Sequence, residues 1–240
     1  MKVKIRVAHA ITDTVTTDRY IDGHFKVLES YGVTKVTSAD RSWVNNPHVY
    51  LIIVESIDGS KIYGGARMQL RTAEFPLPLE GAIYEKDKSI VQFMQKYKDL
   101  EAGEFCGLWN SREISGYGIG SIYLIRIGAA ISSFLKLKGL MAFCSPYTVK
   151  NGQAVGLDII KSLGDNGSFL YPKEGLVATI MEATDPEVLS QANELEKEYI
   201  YSLREQPKQI RQEVSEKGPL EIHFDLNIEV FSNESSIERK

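Results

Sequence analysis

A chain of 240 residues fits one domain, or one domain with an appendage. With 43% apolar and 25% charged residues it has the make-up of a soluble globular protein, and a net charge of −4 argues against a large nucleic-acid surface. No apolar run is long enough to span a bilayer, and the basic start, Met1 to Val7, alternates where a signal peptide would turn continuously apolar, so a cytoplasmic location with neither nucleic-acid nor membrane partner is expected.

Residues 2–10 alternate as a strand does, and Thr14 to Tyr31 carries Tyr20, His24, Val27, Leu28 and Tyr31 at the spacing of one helix face. Ser38 to Pro47 is polar and turn-rich. Tyr50 to Val54 reads as a strand buried on both faces, Asp58-Gly59 as a hairpin turn, and Lys61 to Arg71 as the returning strand. The prolines of Phe75 to Pro78 predict a loop, and a helix is expected from about Asp87 to Tyr97. Glu104 to Trp109 reads as a strand and Ser115 to Ser121 as a glycine-rich turn. Ile122 to about Leu137 follows as an apolar helix closed by Gly139. Leu140 to Cys144 is a short buried strand, Asn151 to Leu163 a helix closed by Gly164, and Gly175 to Ala183 a strand. Asp185-Pro186 opens a polar helix to about Gln206, whose stripe Leu189, Ala192, Leu195, Tyr199 and Leu203 needs burial either on the domain or in a homodimer contact. Leu220 to Phe231 reads as a strand and 232–240 as a disordered tail. Alternating strands and helices make this a mixed α/β or α+β chain, with residues 1–183 as the main domain and 184–231 as a helix-strand extension packed on it.

Cys106 and Cys144 lie in apolar segments without CxxC spacing and read as buried reduced thiols. His9, His24, His48 and His223 have no metal-ligand spacing, so no metal is expected. The chemistry concentrates in Ser115-Gly116-Tyr117-Gly118-Ile119-Gly120-Ser121, between a strand and a helix. Glycines let the backbone approach a ligand, and the free N–H groups and dipole of a helix start suit a phosphate or diphosphate. A nucleotide P-loop would need a lysine where this chain has Gly120-Ser121-Ile122. A dinucleotide fingerprint would need G-x-G-x-x-G and a later acidic strand end. A turn that only packs a helix on a sheet is the other reading of these residues.

The run Ser111 to Ser121 resembles the acyl-CoA loop of the GNAT superfamily of N-acetyltransferases. Gly116, Gly118, Ile119 and Gly120 match the family pattern Q/R-x-x-G-x-G/A, and Ser115 stands where a Gln or Arg is usual. Lys138 to Ser145 is similar to the fifth GNAT strand and Asn151 to Gly164 to the helix after it, so the resemblance covers about residues 50–183. It implies a mostly antiparallel sheet with helices on both faces and with splayed fourth and fifth strands. Acetyl-CoA or a longer acyl-CoA would lie in the gap, its pantetheine paired with the backbone of Leu108, Trp109, Asn110 and Ser111. The diphosphate would rest on the N–H groups of Tyr117 to Gly120, with Ser115, Gly116, Ser121 and Asn151 completing the cofactor site. The implied reaction is direct acyl transfer to a small-molecule amine, which needs a base but no covalent nucleophile. Glu104 is the base candidate, ahead of Glu101 and Glu113. Tyr147 substitutes for the family tyrosine that protonates the leaving thiolate, because Leu157-Asp158 occupies the usual place. His24 reads either as a buried, hydrogen-bonded histidine or as a residue near the acceptor.

Residues 43–109 also resemble the acyl-homoserine-lactone (autoinducer) synthases. Trp43, Tyr50 to Glu55, Gly64-Gly65-Ala66-Arg67 and Glu104 fall in that family's order, whereas Leu70-Arg71 replaces a Pro-Thr pair and Cys106-Gly107 replaces Ser-Arg. The resemblance makes Arg67 a substrate-binding candidate; its plainer reading is an ion pair with Glu74 or Glu104. Three functions are therefore in play: an acyl-CoA-dependent N-acyltransferase, an autoinducer-synthase-like N-acyl amino acid or homoserine lactone synthase, and a non-catalytic acyl-CoA-binding protein.

Overall fold

The computed structural model describes residues 1–30, 32 and 41–228. Its strands are β1 (Lys2–His9), β2 (Val49–Glu55), β3 (Ile62–Leu70), β4 (Ala102–Asn110), β5 (Gly139–Cys144), β6 (Asp158–Ile159), β7 (Ser168–Leu170), β8 (Val177–Ala183), β9 (Lys208–Ser215) and β10 (Gly218–Asp225). The helices are α1 (Thr14–Ser30), α2 (Pro78–Tyr84), α3 (Ile90–Met94), α4 (Ser121–Phe134), α5 (Pro146–Ala154) and α6 (Glu194–Glu205). One sheet runs in the order β6-β8-β5-β4-β3-β2-β1-β10-β9, with β7 also on β8. Among the described residues only β1 with β10 and β4 with β5 pair in parallel.

Helices cover both faces, and β2 shows why its sequence is continuously apolar. Tyr50, Ile52 and Val54 join the core under α4 and α6, while Val49, Leu51 and Ile53 join Tyr20 and Trp43 under α1. On the α1 side, α2 and α3 cover Met141 and Ile180. Gly128 lets α4 come down on β4, since a Cβ there would meet Phe105 Cδ2 at 2.6 Å. Gly128→Ala is expected to destabilise by roughly 1–3 kcal/mol despite its better helix propensity, read as a fall in the urea midpoint.

Two features of β4 shape the site. It pairs with β5 only from Ala102–Gly139 to Glu104–Met141, after which the strands part. Against β3 it carries a bulge, with Arg67 opposite Cys106, Gly65 opposite Trp109, and Gly107 at φ +60°. Paired residues share a face, so Arg67, Gln69, Glu104 and Cys106 all point toward the α1–α2 side. The extra residue then puts Trp109 on that side in place of Leu108.

Several elements correct the sequence reading. Phe75 to Pro78 leads into α2, because Pro78 fits a first helical turn and Glu80 accepts the Leu77 N–H at 2.9 Å. The helix expected over 87–97 shrinks to α3; the Asp87 carboxylate caps the turn before it, accepting the Ser89 N–H at 3.0 Å. Helix α4 ends at Phe134 because Lys136 turns left-handed (φ +54°), and Gly139 opens β5, where a Cβ would meet Tyr97 Oη at 2.3 Å. Helix α5 occupies Pro146–Ala154 in place of Asn151 to Leu163, because Gly156 (φ +96°) stops it and Asp158-Ile159 pairs with β8. Helix α6 begins at Glu194 and not at Asp185, since Leu189 adopts φ +54° and is wholly buried. The α6 stripe packs on the domain: Ile200 and Leu203 are buried with α4, while Leu195 is left 80% exposed by the later start. The strand expected over 220–231 is β10, which ends at Asp225, and an unforeseen partner, β9, turns it into a hairpin. Tyr31, the Ser38–Asp40 part of the turn-rich segment, Phe231 and the 232–240 tail lie outside the described residues.

Candidate functional site

The parting of β4 and β5 opens a cleft of about 660 Å³. Phe105, Cys106, Gly107 and Leu108 form one wall and Leu140, Ala142, Phe143 and Cys144 the other. Ile125 of α4 lines it as well, and Leu157, Tyr171, Leu176 and Val177 continue it as an apolar pocket. His24 of α1 and Tyr147 of α5 also line the cleft; Tyr147 is 93% exposed. Tyr20 closes the α1 side by donating its hydroxyl to the Gly107 carbonyl at 2.6 Å.

Beyond β4, a single 3-10 turn (Arg112–Ile114) leads into the glycine loop, which surrounds a second cavity of about 340 Å³. Asn110, Ser111, Arg112, Ile114, Ser115, Gly116, Gly118, Ile119 and Gly120 line it. Gly118 has φ +74°, and a Cβ added there would meet nothing within 4 Å, so this corner is open to a guest. Of the four N–H groups expected to hold a diphosphate, that of Tyr117 donates to Ile114 O (3.2 Å) and that of Gly120 to Gly118 O (2.8 Å). Those of Gly118 and Ile119 have no acceptor among the described residues. The N–H groups of Ser121 and Ile122 join them at the first turn of α4, where no intrahelical acceptor exists. Asn151 Nδ2 donates to Ser121 Oγ at 2.7 Å, so α5 meets α4 at this corner. The side chain of Trp109 turns away, packing so tightly on α1 that a Cβ on Gly23 would meet its ring at 2.2 Å.

A buried polar cluster lies where the strands part. Arg67 is fully buried; its Nε donates to Cys106 Sγ at 3.3 Å and its guanidinium stacks 4.5 Å from the Trp43 ring centroid. Among the described residues Nη1 and Nη2 have no hydrogen-bond partner, and neither Glu74 nor Glu104 forms an ion pair with Arg67. Glu104 is 2% exposed, with Oε2 accepting the Leu79 N–H at 2.7 Å. Burial pushes its carboxyl up to about 7, against the Leu79 bond and the Arg67 charge and with help from Glu80. Burial, then the Arg67 charge, pushes His24 down to about 4. Burial raises the Cys106 thiol to about 12 and the Cys144 thiol to about 11. Glu101 and Glu113 are instead tied to Lys138 (2.5 Å) and Lys61 (3.1 Å). The contact of Cys106 with Arg67 and the role of Tyr20 at Gly107 were not read from the sequence, since both depend on the bulge and on strand register.

No protein-family model and no curated protein sequence matches the chain. Among solved structures, FeeM, an N-acyl amino acid synthase from uncultured soil microbes, aligns with a TM-score of 0.60 at 15% identity, over 82% of this chain and 97% of FeeM. The chain has the GNAT fold. BjaI, a CoA-dependent acyl-homoserine lactone synthase solved with SAM and isopentyl-CoA, aligns at 0.53 and 11% identity, covering 85% of this chain and 90% of BjaI. ElaA from Escherichia coli aligns at 0.52 and 11%, covering 75% of this chain and 99% of ElaA. At these identities the likeness is one of architecture, and the residues of this chain must carry the chemistry. Among the described residues no helix is long and apolar enough to cross a membrane, and no three His, Cys, Asp or Glu side chains gather to hold a metal.

Proposed function

We propose that the protein is an acyl-CoA-dependent N-acyltransferase of the cytoplasm, acting on a small amine that also bears a carboxylate. The observation that carries this reading is the cleft between β4 and β5, with an open glycine loop beyond the end of β4 and a buried carboxyl with a pKa of about 7 where the strands part. The apolar extension past Leu157 and Tyr171 favours acyl groups longer than acetyl.

In the reaction the amine nitrogen attacks the thioester carbonyl. The N–C bond forms, the C–S bond breaks, and the amine's proton passes to Glu104, whose Oε2 is held by Leu79 so that Oε1 is the oxygen to receive it. The departing thiolate takes a proton at the cleft mouth, from Tyr147 or from water; Tyr147, 93% exposed, regains its proton from solvent, and Glu104 gives its proton up to water that enters as the product leaves. A base works best with a pKa near the operating pH, which suits Glu104 better than His24, whose imidazole burial pushes down to about 4. The thiols of Cys106 and Cys144 stay protonated near neutral pH, which supports direct transfer over a cysteinyl intermediate.

The acceptor's carboxylate is inferred from Arg67. A buried guanidinium with two unpartnered nitrogens is costly unless an anion completes it. A carboxylate at Arg67 with its amine toward Glu104 describes an amino acid, in keeping with the acceptor class named for FeeM. Arg67→Met is expected to raise the KM for the acceptor roughly 100-fold while leaving the melting temperature unchanged or higher, because two of its buried guanidinium nitrogens lack a partner without ligand. Thiol release with long-chain acyl-CoA, across amino acids, S-adenosylmethionine and amines lacking a carboxylate, tests the whole reading. Equal turnover of amines with and without a carboxylate would remove Arg67 from the site, and no thiol release with any of them would leave a binding protein.

A further inference from the structure

The turn between β9 and β10 carries Lys217, and the topology delivers it to the glycine loop. β10 lies parallel on β1, and the antiparallel pairings from β1 through β2 and β3 to β4 bring the start of β10 to the same sheet end as Asn110. The hairpin is anchored there: Glu213 of β9 accepts the hydroxyls of Tyr123, in the first turn of α4, and of Tyr199 at 2.7 Å. The aliphatic stem of Lys217 lies across Gly116, where a Cβ would meet its Cε at 2.7 Å and its Cδ at 3.2 Å. Its ammonium stands 5.5 Å from the Tyr117 ring centroid. No ion pair joins it to a carboxylate among the described residues, and Glu113, beside the loop, is already taken by Lys61.

Two separate features at the loop thus have unmet demand for an anion: the N–H groups of Gly118 and Ile119, residues that line its cavity, and an exposed lysine whose stem is held against Gly116 at its edge. The position where the GNAT pattern usually has Gln or Arg is Ser115, which brings no charge. Arg112 lines the cavity from the loop side. We propose that Lys217 joins it as a second cation of the donor site, reaching the diphosphate of CoA from the C-terminal hairpin. The role rests on the acyl-CoA reading above. It makes the hairpin part of donor selection: donors with a diphosphate gain from Lys217, and a bare pantetheine does not.

The test is calorimetric titration of CoA and of phosphate-free pantetheine into the full chain and its Lys217→Gln and Lys217→Arg variants, at two salt concentrations. Lys217→Gln should weaken CoA roughly tenfold and flatten the salt dependence, while Lys217→Arg stays within about threefold. Pantetheine affinity should not change in any variant. Wild-type protein that binds CoA, with Lys217→Gln binding equally tightly at both salt concentrations, overturns the role of Lys217 and leaves the acyl-CoA reading standing. Folded wild-type protein that does not bind CoA overturns both.

Discussion

A Gly118→Asp variant is expected to fold and to lose affinity for CoA by at least about a hundredfold, or roughly 3 kcal/mol. Gly118 has φ +74°, a conformation that costs most side chains about 1–2 kcal/mol but that aspartate tolerates better than most. A Cβ there meets nothing within 4 Å, so the new side chain clashes with no part of the protein. It fills the space beside the free N–H groups with a negative charge, where the diphosphate would have to sit. Calorimetry with CoA, paired with a thermal melt, separates the two effects. A melt within a few degrees of wild type with no measurable CoA binding is the expected pair. Unchanged CoA affinity would mean that the donor's phosphates lie elsewhere.

Glu104→Gln should lower turnover by roughly 10²- to 10⁴-fold with little change in donor affinity. In the wild type, kcat/KM should rise with pH up to about 7 and then level off as Glu104 ionises; in the variant that limb should be absent. Stability should move the other way. The folded-state pKa of about 7 lies above the usual 4.5, so between these values the folded chain holds a proton that the unfolded chain has released. Wild-type stability contributed by this group is therefore full below pH 4.5 and is lost as pH rises toward 7, by roughly 3 kcal/mol. Glutamine keeps an oxygen for the Leu79 N–H and never ionises. Urea unfolding should find the variant more stable than wild type at pH 8 and about equal to it at pH 4.5. A variant with wild-type turnover would move the base to another residue.

Most of the sheet is legible in the sequence because its strands are either clean alternations, like β1, or apolar runs bounded by turn residues, like β2 and β5. Helix α4 is legible by its buried stripe. β9 is not, because its pattern is inverted: Ile210 and Val214 are 61% and 90% exposed, while Glu213 and Arg211 face tyrosines, Arg211 stacking 3.8 Å from the Tyr199 ring centroid. Helix limits fail where single residues turn left-handed for tertiary reasons, as at Lys136 and Leu189, neither of which is a glycine. Of the proposed site, the glycine loop, Arg67 and Glu104 are visible through local motif and chain order. Lys217 is not visible, since only the registry of five neighbouring strands brings it beside a loop a hundred residues earlier.

The pairing of β1 with β10 also sets the order in which the sheet can close. Lys2 lies opposite Glu221, and the amino terminus donates to the Pro219 carbonyl at 2.7 Å, so the first strand waits for the last before its outer edge is covered. Closure over so long a separation is slow, and during synthesis it must come late. Until the β9–β10 hairpin docks, β1 keeps an unpaired edge and Lys217 is away from Gly116. Docking of this hairpin, and not the folding of the central strands, is then the last step in closing the sheet around β1.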